Sequence, residues 1–530
     1  MTYHWNPLGS AILQACRLRG DAVALVSSGH EWTFAAVGSA VSSLAGALAS
    51  RFEVDTVVGI ISSNSAEYMI ADQSLIVSAL ARLGLNKRLH PAEAIDSLRR
   101  AGARAVFADA AWLGSLTEHG LADTGVGLAI CLDDLPADVG AILESRGIET
   151  ATFAQLAGSG DRLDAARSTA PGALATLNFT SGTTGVPKCV AHSRSAQLAI
   201  SRGMSALTAA HSSDILLLPL PLSHAGGLFS LAYFLAGGTQ HIIDRIGNEE
   251  LLDLAHRVSA TALASVPTVL APLSVLARER ELSLAFRRIY FGGAPMRPDV
   301  VLSVLQAFGP VLTQLYGQSE SGLPVTAMIP LDYERALSTG SQSDLMTAGR
   351  PWGLVEVVVL DDEGHPASPD QVGEIAVRGE TVMAGYLGDE DATSAAFDAD
   401  GWLLTGDLGA FSPDGVLSVV GRRRDVIITG GFNVYPAEVE AAIAPLASVR
   451  DVVVLGVPDE VWGESVCAVV VAAPGASVDR GEVIAACEKR LGRFKVPRVV
   501  RLASGFPVGA TGKVDKRALL AVLDIETKPL

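Results

Sequence analysis

Cysteine and positive charge are both scarce in this sequence, and each shortage excludes a class of function. The 530 residues include five cysteines, which are scattered and form no Cys-x-x-Cys pair. Such a pattern fits a reducing cytosol and offers no zinc site. The formal net charge of −17 argues against nonspecific binding to nucleic acid or to an anionic membrane, because both require a basic surface. We therefore expect a cytoplasmic protein whose partners are neither nucleic acid nor membrane.

The sequence also lacks segments that predict secretion or membrane insertion. Its first residues contain no basic region followed by an apolar run, so we expect no secretion signal. Residues 215–238 contain no Asp, Glu, Lys or Arg, but Pro219, Pro221 and several glycines interrupt them. A helix exposed to hydrocarbon tolerates such interruptions poorly. We predict instead a buried strand and turn that lead into a core helix.

Length and hydrophobic patterning predict the fold class. A chain of 530 residues exceeds what one hydrophobic core can hold, so it should divide into two or more domains. Apolar runs typical of buried strands alternate with alanine-rich stretches typical of helices, and no repeat period is present. The predicted strands are 56–61, 105–108, 215–218 and 262–266, and the predicted helices among them are 67–81 and 92–101. This alternation favours α/β layers with a parallel sheet.

A domain boundary is predicted close to residues 421–425. A Pro-Asp-Gly turn at 413–415 predicts a hairpin before the boundary, and a strand followed by a helix that begins at Pro436 is predicted after it. The residues beyond alternate strand and helix anew, as an independent small domain would. We predict a large N-terminal domain of layered sheets and helices at 1–422 and a smaller α+β C-terminal domain at 423–530.

The most informative segment is Leu-Asn-Phe-Thr-Ser-Gly-Thr-Thr-Gly-Val-Pro-Lys at residues 177–188. Backbone N–H groups beside glycine and the hydroxyls of serine and threonine can surround an anionic polyphosphate, and a lysine adds positive charge. A P-loop places its lysine directly after glycine and before a helix, whereas Val186 and Pro187 intervene here. Proline blocks an immediate helix start, so we predict a phosphate loop of another kind; a solvated Gly/Ser/Thr loop is the alternative. The predicted phosphate-binding residues are Thr180, Ser181, Gly182, Thr183, Thr184 and Lys188.

This segment resembles the signature loop of the adenylate-forming superfamily, which comprises acyl-CoA synthetases, adenylation domains of peptide synthetases, and luciferases. Four further motifs follow in the family's order, at 316–320 (YGQSE), 405–407 (TGD), 421–440 and 507–517. The resemblance is strongest to acyl- or aryl-CoA ligases. It implies that ATP converts a carboxylate to an acyl-adenylate with release of pyrophosphate, after which the acyl group passes to a second nucleophile. It also implies a mobile C-terminal domain with a hinge at Arg424.

The resemblance implies roles for motif residues in the first half-reaction. Lys513 would be the catalytic lysine that reaches the substrate carboxylate and the α-phosphate, and Glu320 would assist catalysis by binding Mg²⁺. Tyr316 would stack on adenine, Ser319 would meet the α-phosphate, and Asp407 would accept hydrogen bonds from the ribose. The residues implied to bind ATP outside the phosphate loop are Gly292, Gly293, Ala294, Tyr316, Gly317, Ser319, Asp407, Arg422 and Lys513.

A second group of residues is implied for the acid and the acyl acceptor. His224 would border the acyl pocket as a third catalytic residue. Amino-acid-activating relatives usually place an aspartate near this position, and residues 219–232 contain none, which disfavours an α-amino acid. Cys189 stands where the family usually has glycine, and we interpret it as a packing variation because nothing nearby suggests a lowered thiol pKa. The residues implied to meet coenzyme A are Gly430, Gly431, Phe494 and Arg498.

The predicted function is that of an ATP- and Mg²⁺-dependent acid–thiol ligase, which adenylates a small-molecule carboxylic acid and forms a thioester with coenzyme A. One alternative is a stand-alone adenylating enzyme that loads the pantetheine of a carrier protein. Another is activation of a different oxyanion, such as nitrite, for attack by an arylamine. The remaining alternative is a non-catalytic nucleotide-binding relative, against which Lys513, Glu320 and Asp407 all argue. The sequence carries no signal for an oligomeric state.

Overall fold

The structure, a computed structural model, describes residues 5–180, 187–340, 343–508 and 514–523, without the side chain of Arg517. Its helices and strands confirm the predicted α/β class. The chain divides into two compact units, one made of residues 1–356 and 377–403 and the other of residues 357–376 and 404–530. This division follows the packing of the chain and does not locate a hinge, so the domain boundary at residue 422 stays a prediction.

The strands of the described residues are β1 Val23–Ser27, β2 His30–Thr33, β3 Val57–Ile61, β4 Ala81–Gly84, β5 Ala105–Ala108, β6 Leu128–Cys131, β7 Glu149–Thr152, β8 Leu174–Thr180, β9 Lys188–Ser193, β10 Ile215–Leu218, β11 Thr239–Ile242, β12 Ala262–Ser265, β13 Arg288–Gly292, β14 Leu312–Gln318, β15 Gly322–Met328, β16 Arg350–Pro351, β17 Val355–Leu360, β18 Gly373–Gly379, β19 Gly385–Tyr386, β20 Leu403–Phe411, β21 Leu417–Arg422, β22 Ile427–Thr429, β23 Phe432–Val434, β24 Val449–Asp459, β25 Gly463–Ala472 and β26 Val499–Ala503.

The α-helices are α1 Pro7–Arg19, α2 Phe34–Ala49, α3 Ala66–Val77, α4 Pro91–Arg100, α5 Ala110–Glu118, α6 Ala137–Ser145, α7 Phe153–Ala157, α8 Arg194–Thr208, α9 Ala225–Ala236, α10 Asn248–Arg257, α11 Pro267–Glu279, α12 Pro298–Phe308, α13 Pro330–Thr339, α14 Glu390–Ala396, α15 Pro436–Ile443, α16 Arg480–Glu488 and α17 Lys516–Val522.

Two large sheets form the core of the first unit. One has nine strands in the order β16-β15-β14-β13-β12-β10-β11-β1-β2, and the other has eight in the order β19-β9-β8-β4-β3-β5-β6-β7. Their central strands are parallel, as in β12-β13-β14 and in β4-β3-β5. Parallel strands bring their carboxyl ends to one edge of a sheet, where ligands commonly bind. The loops after β3, β10, β13 and β14 are therefore placed where a site is expected.

Local sequence explains where these elements begin and end. All five residues of β3, Val-Val-Gly-Ile-Ile, are buried, as expected of a strand covered on both faces. The Ser65 side chain accepts a hydrogen bond from the Tyr68 N–H at 3.1 Å and begins α3. The helix predicted at 67–81 is wrong at its end: α3 stops at Val77, because Ala79 adopts a left-handed backbone with φ +58° before the chain enters β4.

The uncharged segment 215–238 folds as the sequence predicts. It forms β10, a turn and α9, whose residues are mostly buried in the first unit. No helix within the described part of the chain is long and apolar enough to span a membrane.

The strands that lie wholly or partly in the second unit belong to two sheets, with the orders β17-β18-β20-β21 and β23-β22-β25-β24, and β26 pairs with β25. The predicted Pro-Asp-Gly turn joins β20 to β21 in an antiparallel hairpin. Helix α15 begins at Pro436, as predicted, and its Val439 and Ile443 pack with Ile427 and Val466 of the second sheet in one apolar core. This unit therefore has a core of its own.

Candidate active site

Strands β8 and β9 form an antiparallel hairpin on which the predicted phosphate loop is carried. Thr180 ends β8, Lys188 begins β9, and these two residues are paired in the register. The chain after Pro187 is a strand and not a helix, so the arrangement differs from a P-loop as predicted. Four predicted phosphate-binding residues between the two strands lie outside the described residues: Ser181, Gly182, Thr183 and Thr184.

The Glu320 carboxylate lies beside this hairpin. Glu320 occupies the turn between β14 and β15, and its Oε1 accepts hydrogen bonds from Thr180 Oγ1 and from the Tyr386 hydroxyl, each at 3.3 Å. The Lys188 ammonium lies 4.7 Å from the centre of the Tyr386 ring. The fold thus brings together three predicted residues, Thr180, Lys188 and Glu320. We name these three with Tyr386 the Glu320 cluster.

Tyr386 is the member of the Glu320 cluster that the sequence did not indicate. Burial raises its pKa and the nearby Glu320 charge raises it further, so the hydroxyl stays protonated and donates its hydrogen bond to the carboxylate. Tyr386 stands 66 residues beyond Glu320 in the chain, and no motif that we identified includes it. The pairing of β19 with β9 brings it to the hairpin.

The predicted adenine-binding residues lie at the carboxyl ends of two parallel strands. Gly292 ends β13 and pairs with Leu315 of β14, which continues through Tyr316 and Gly317. A Cβ at Gly292 would lie 2.7 Å from the Leu315 carbonyl oxygen, and a Cβ at Gly317 would lie 2.7 Å from the Gly322 carbonyl oxygen. Both positions therefore require glycine for close packing. The loops after these strands hold three further predicted residues, Gly293, Ala294 and Ser319.

His224 stands between β10 and α9, next to Ser223. A hydrogen bond of 2.8 Å joins its Nδ1 to the Ser223 hydroxyl. The residue is exposed to solvent, although protein atoms crowd around its ring. Desolvation, together with the charge of Arg82, lowers the pKa of His224 to about 4, so the ring is neutral at pH 7. No hydrogen bond or ion pair of the described residues joins His224 to the Glu320 cluster.

In the second unit, Asp407 and Arg422 face each other across the hairpin of β20 and β21. Arg422 Nε lies 3.1 Å from Asp407 Oδ1, and the aspartate is buried. The preceding backbone is also fixed, because the Gly406 N–H donates to Glu374 Oε1 at 3.0 Å and Arg423 pairs with the same carboxylate. The two predicted ribose-binding residues are therefore in contact with each other.

Gly430 and Gly431 form the two-residue turn between β22 and β23. Their φ angles of +56° and +83° are those of a primed hairpin turn, which favours glycine at both positions. A Cβ at Gly430 would lie 2.5 Å from the Trp462 ring, and the Gly430 N–H donates to the Trp462 carbonyl at 2.8 Å. The sequence singled out this turn but not the tryptophan against which it packs.

An exposed group of rings adjoins this turn. The Phe432 and Phe494 ring centres are 4.8 Å apart, and the Arg498 guanidinium lies 4.0 Å from the centre of a ring of Trp462. Phe432, Trp462 and Phe494 are 55%, 44% and 37% exposed. We name these three rings, with Arg498, the aromatic patch. Contiguous exposed apolar groups often mark interaction sites, so the patch is a candidate binding surface.

Arg424 is the predicted hinge residue, and Lys513 is the predicted catalytic lysine. Arg424 lies in a short 3₁₀ turn, with its Nε 3.7 Å from Asp425 Oδ1. Asp425 also receives a hydrogen bond from Lys516 at 2.9 Å, at the start of α17. Lys513 lies outside the described residues. The roles of Arg424 and Lys513 stay predictions.

The Cys189 thiol is buried in β9, where burial raises its pKa to about 12. A thiol needs its thiolate form to react, so we expect no rapid alkylation of Cys189 in the native protein. All five cysteines are buried and free, and the same result is expected for each. Intact-mass measurement after iodoacetamide treatment at pH 8 checks this, with denatured protein as the positive control. Rapid native labelling of Cys189 would contradict its interpretation as a packing residue.

Comparison with known families gives two matches along the chain. A family model described as "AMP-binding enzyme" matches residues 13–387, and one described as "AMP-binding enzyme C-terminal domain" matches residues 438–513.

Curated proteins related to the chain carry the names of CoA ligases. The chain is 34% identical to the 3-[(3aS,4S,7aS)-7a-methyl-1,5-dioxo-octahydro-1H-inden-4-yl]propanoyl:CoA ligase of Mycobacterium tuberculosis, over 96% of this chain and 97% of that protein. It is also 34% identical to the medium/long-chain-fatty-acid–CoA ligase FadD8 of the same organism, over 65% of this chain and 60% of the relative.

Solved structures match over almost the whole length. The amide bond synthetase McbA from Marinactinospora thermotolerans has a TM-score of 0.87 and 28% identity, and the match covers 98% of this chain and 100% of that one. The o-succinylbenzoate CoA synthetase from Bacillus subtilis, solved with its acyl-adenylate, has a TM-score of 0.79 and 26% identity, with 96% and 97% covered. These matches confirm the predicted fold class.

Proposed function

We propose, since the chain belongs to the AMP-binding enzyme family, that it activates a carboxylic acid with ATP as an acyl-adenylate and then transfers the acyl group to coenzyme A. The reaction class predicted from the sequence, an AMP-forming acid–thiol ligase, is confirmed by relatives that are named CoA ligases. The observation in the structure that carries the proposal is the Glu320 cluster, which sets a carboxylate and a lysine at the two ends of the predicted phosphate loop.

The first half-reaction needs positive charge and correct placement more than it needs proton transfer. A carboxylate attacks the α-phosphate in line, and negative charge builds up between two anions, so catalysis comes from positioning and from cations. Lys188 would hold the polyphosphate from the start of β9. Lys513 would bridge the carboxylate and the α-phosphate.

Glu320 fits a role as the ligand of Mg²⁺. This ion commonly binds proteins through one or two carboxylates together with substrate phosphates. Glu320 offers such a carboxylate beside Thr180, at the edge of the phosphate loop, and Tyr386 orients it by donating a hydrogen bond. When bound, the ion would stabilise the charge that develops on the phosphoryl oxygens.

Asp407 is proposed to hold the ribose of ATP, because a buried carboxylate can accept hydrogen bonds from two hydroxyls. Replacing it by asparagine removes the charge and one acceptor, and we expect KM for ATP to rise about tenfold, the cost of a charge-assisted hydrogen bond. Steady-state kinetics at saturating acid measure this. Asp400→Asn, at an exposed aspartate, is the control. Equal KM values in the two variants would contradict the role.

The aromatic patch supports coenzyme A as the acceptor. Its nucleotide carries an adenine ring and phosphates, and exposed rings with an arginine suit both groups. The turn at Gly430 and Gly431 offers backbone without side chains, which a thiol-bearing arm can approach closely. A carrier protein delivers the same pantetheine arm without the nucleotide. If a carrier protein is the acceptor, substitutions in the aromatic patch should therefore have little effect on acyl transfer.

We expect Arg498→Ala to raise KM for coenzyme A by about five- to tenfold, since the variant removes a cation stacked on Trp462. Acid-dependent exchange of pyrophosphate into ATP should stay unchanged, because that reaction precedes coenzyme A. The matched control is Arg501→Ala, at an exposed arginine of β26, the strand that begins directly after Arg498. An unchanged KM for coenzyme A, or an equal rise in both variants, would contradict the assignment.

The acid is proposed to lack an α-ammonium group. The segment around His224, residues 219–232, carries no carboxylate to pair with such a group, and His224 itself is neutral at pH 7. The relatives are named for dissimilar acids, among them a fatty acid, indoleacetate and 2-succinylbenzoate. A test of function therefore has to cover several classes of acid.

The test is pyrophosphate release over a panel of fatty, aryl, arylacetic and dicarboxylic acids, with α-amino acids and nitrite included, each with and without coenzyme A. The proposal predicts release with at least one acid, acceleration by coenzyme A, and an acyl-CoA detectable by mass spectrometry. Release that ignores coenzyme A would favour a carrier protein. Release that requires nitrite and an arylamine would mean that the enzyme activates another oxyanion in place of a carboxylate.

A further inference from the structure

Two buried side chains from outside the segment hold the backbone that carries His224. We name residues 219–224, between β10 and α9, the His224 loop. Asn64, which follows β3, donates from Nδ2 to the Leu220 carbonyl at 2.9 Å and accepts at Oδ1 from the Leu222 N–H at 3.1 Å. Two prolines leave the His224 loop short of its own N–H donors, so these external hydrogen bonds fix its path.

Arg82, in β4, supplies the second contact. Its NH2 group donates to the Leu222 carbonyl at 3.2 Å and to the Tyr68 hydroxyl at 3.3 Å, and its Nε lies 2.9 Å from Asp72 Oδ1. Burial disfavours the charged guanidinium, but Asp72 and Tyr68 outweigh this effect and raise the pKa of Arg82, so the guanidinium stays charged. A Cβ at Gly84 would lie 2.8 Å from the Arg82 guanidinium, so glycine at this position leaves the space that the guanidinium occupies.

Asn64 also links the two large sheets. Its Nδ2 donates to the Ile243 carbonyl at 2.9 Å, and its backbone N–H donates to Asp244 Oδ1 at 2.8 Å, both just after β11. Asn64 itself extends from the eight-stranded sheet, whereas β10 and β11 belong to the nine-stranded sheet. The His224 loop is thus located with respect to both sheets through one side chain. The hydrogen bond between the Ser223 hydroxyl and His224 Nδ1 then orients the ring relative to the loop backbone.

We propose that Asn64 and the Asp72–Arg82 pair are positioning residues, which clamp the His224 loop at Leu220 and Leu222 and thereby place the His224 ring for binding the acid. This proposal rests on the proposed function and on the sequence prediction that His224 borders the acyl pocket. The clamp acts on the backbone, so its loss shifts the ring without removing any group that touches the acid. A displacement of about 1 Å can cost up to about 100-fold in an oriented site.

The kinetic test compares Asn64→Ala with Asn6→Ala. Asn6 is a matched control, because it is equally buried and also bridges two carbonyls and one N–H, but those belong to Ile76, Arg167 and Gly9. We expect Asn64→Ala to raise KM for the acid at least about tenfold and to change KM for ATP less than about twofold. Asn6→Ala should leave both values unchanged. A parallel rise of both KM values in Asn64→Ala would mean a general structural defect and would overturn the proposal.

A second pair of variants covers the case in which Asn64→Ala does not fold. Arg82→Lys keeps a positive charge beside Asp72 but cannot reach Tyr68 and the Leu222 carbonyl together. Arg194→Lys is its control, since Arg194 is also buried and lies near Asp55, with a separation of 3.8 Å. The expected result is a selective rise in KM for the acid in Arg82→Lys alone. Equal effects at the two arginines would contradict the clamp.

Combination with His224→Ala tests whether the clamp acts through the ring. If it does, adding Asn64→Ala to His224→Ala should lower kcat/KM for the acid by less than about twofold further. A further loss as large as in the wild-type background would overturn the proposal. If His224→Ala alone leaves KM for the acid unchanged, the role of His224 in the proposed function fails, and the clamp proposal fails with it.

One readout does not depend on activity. In protein with ¹³C-labelled histidine, the His224 ring signal can be assigned by its loss in His224→Gln. Asn64→Ala is expected to shift or broaden that signal, and Asn6→Ala is not. An unchanged His224 signal in Asn64→Ala would refute the clamp even if the enzyme acts on an acid, and a shifted signal would support the clamp even if the panel of acids failed.

Discussion

Replacing Lys513 by alanine is expected to lower the rate of acyl-adenylate formation by a factor of about 10²–10³, the usual cost of removing one group that stabilises transition-state charge. Thioester formation from a supplied acyl-adenylate should remain close to the wild-type rate. In that step the thiol displaces AMP from the acyl carbon, and AMP is already a good leaving group. Rapid-quench measurement of acyl-adenylate, and separately of acyl-CoA from synthetic acyl-adenylate, gives the two rates.

The matched control for this variant is Lys489→Ala, at an exposed lysine of the same unit. It should leave both rates unchanged. An equal loss of both half-reactions in Lys513→Ala would contradict our assignment, because loss of a lysine that is needed only for adenylation should not slow thioester formation.

Replacing Glu320 by glutamine is expected to lower adenylation by about 10²–10³-fold and to raise the Mg²⁺ concentration required for half-maximal rate. Glutamine keeps an acceptor for Thr180 and Tyr386, so the turn between β14 and β15 should keep its shape while the charge proposed to bind the metal is lost. Titration of the rate with Mg²⁺ at fixed ATP measures the change.

Glu380→Gln, at an exposed glutamate of the first unit, is the control for Glu320. It should follow the wild-type titration. A Glu320→Gln enzyme with a lower maximal rate but an unchanged Mg²⁺ requirement would assign Glu320 a role other than metal binding.

The sequence predicts the parts of this molecule that depend on neighbours in the chain. The strand at 105–108 is a buried apolar run with the bounds of β5, and Pro187 correctly excludes a helix after the phosphate loop. The Pro-Asp-Gly turn correctly predicts the hairpin that places Asp407 opposite Arg422. Each of these features is determined by a few adjacent residues, so a local pattern is sufficient.

Residues that act through distant contacts were not predictable in this way. Tyr386 meets Glu320, and Arg82 meets Leu222, across 66 and 140 residues of chain. In the sequence, Asn64 is one of many polar residues that follow a buried strand. Its contacts with the His224 loop and with the residues after β11 exist only in the folded structure. Such contacts depend on the order of strands in two sheets, and no local pattern encodes that order.

The central claim is that a carboxylate oxygen attacks the α-phosphate of ATP before coenzyme A takes the acyl group. Its most direct test uses an acid labelled with ¹⁸O in both carboxylate oxygens, together with ATP, Mg²⁺ and coenzyme A. We predict AMP that carries one ¹⁸O atom, formed in equal amount with the acyl-CoA. Unlabelled AMP, or label recovered in inorganic phosphate beside ADP, would contradict activation through an acyl-adenylate.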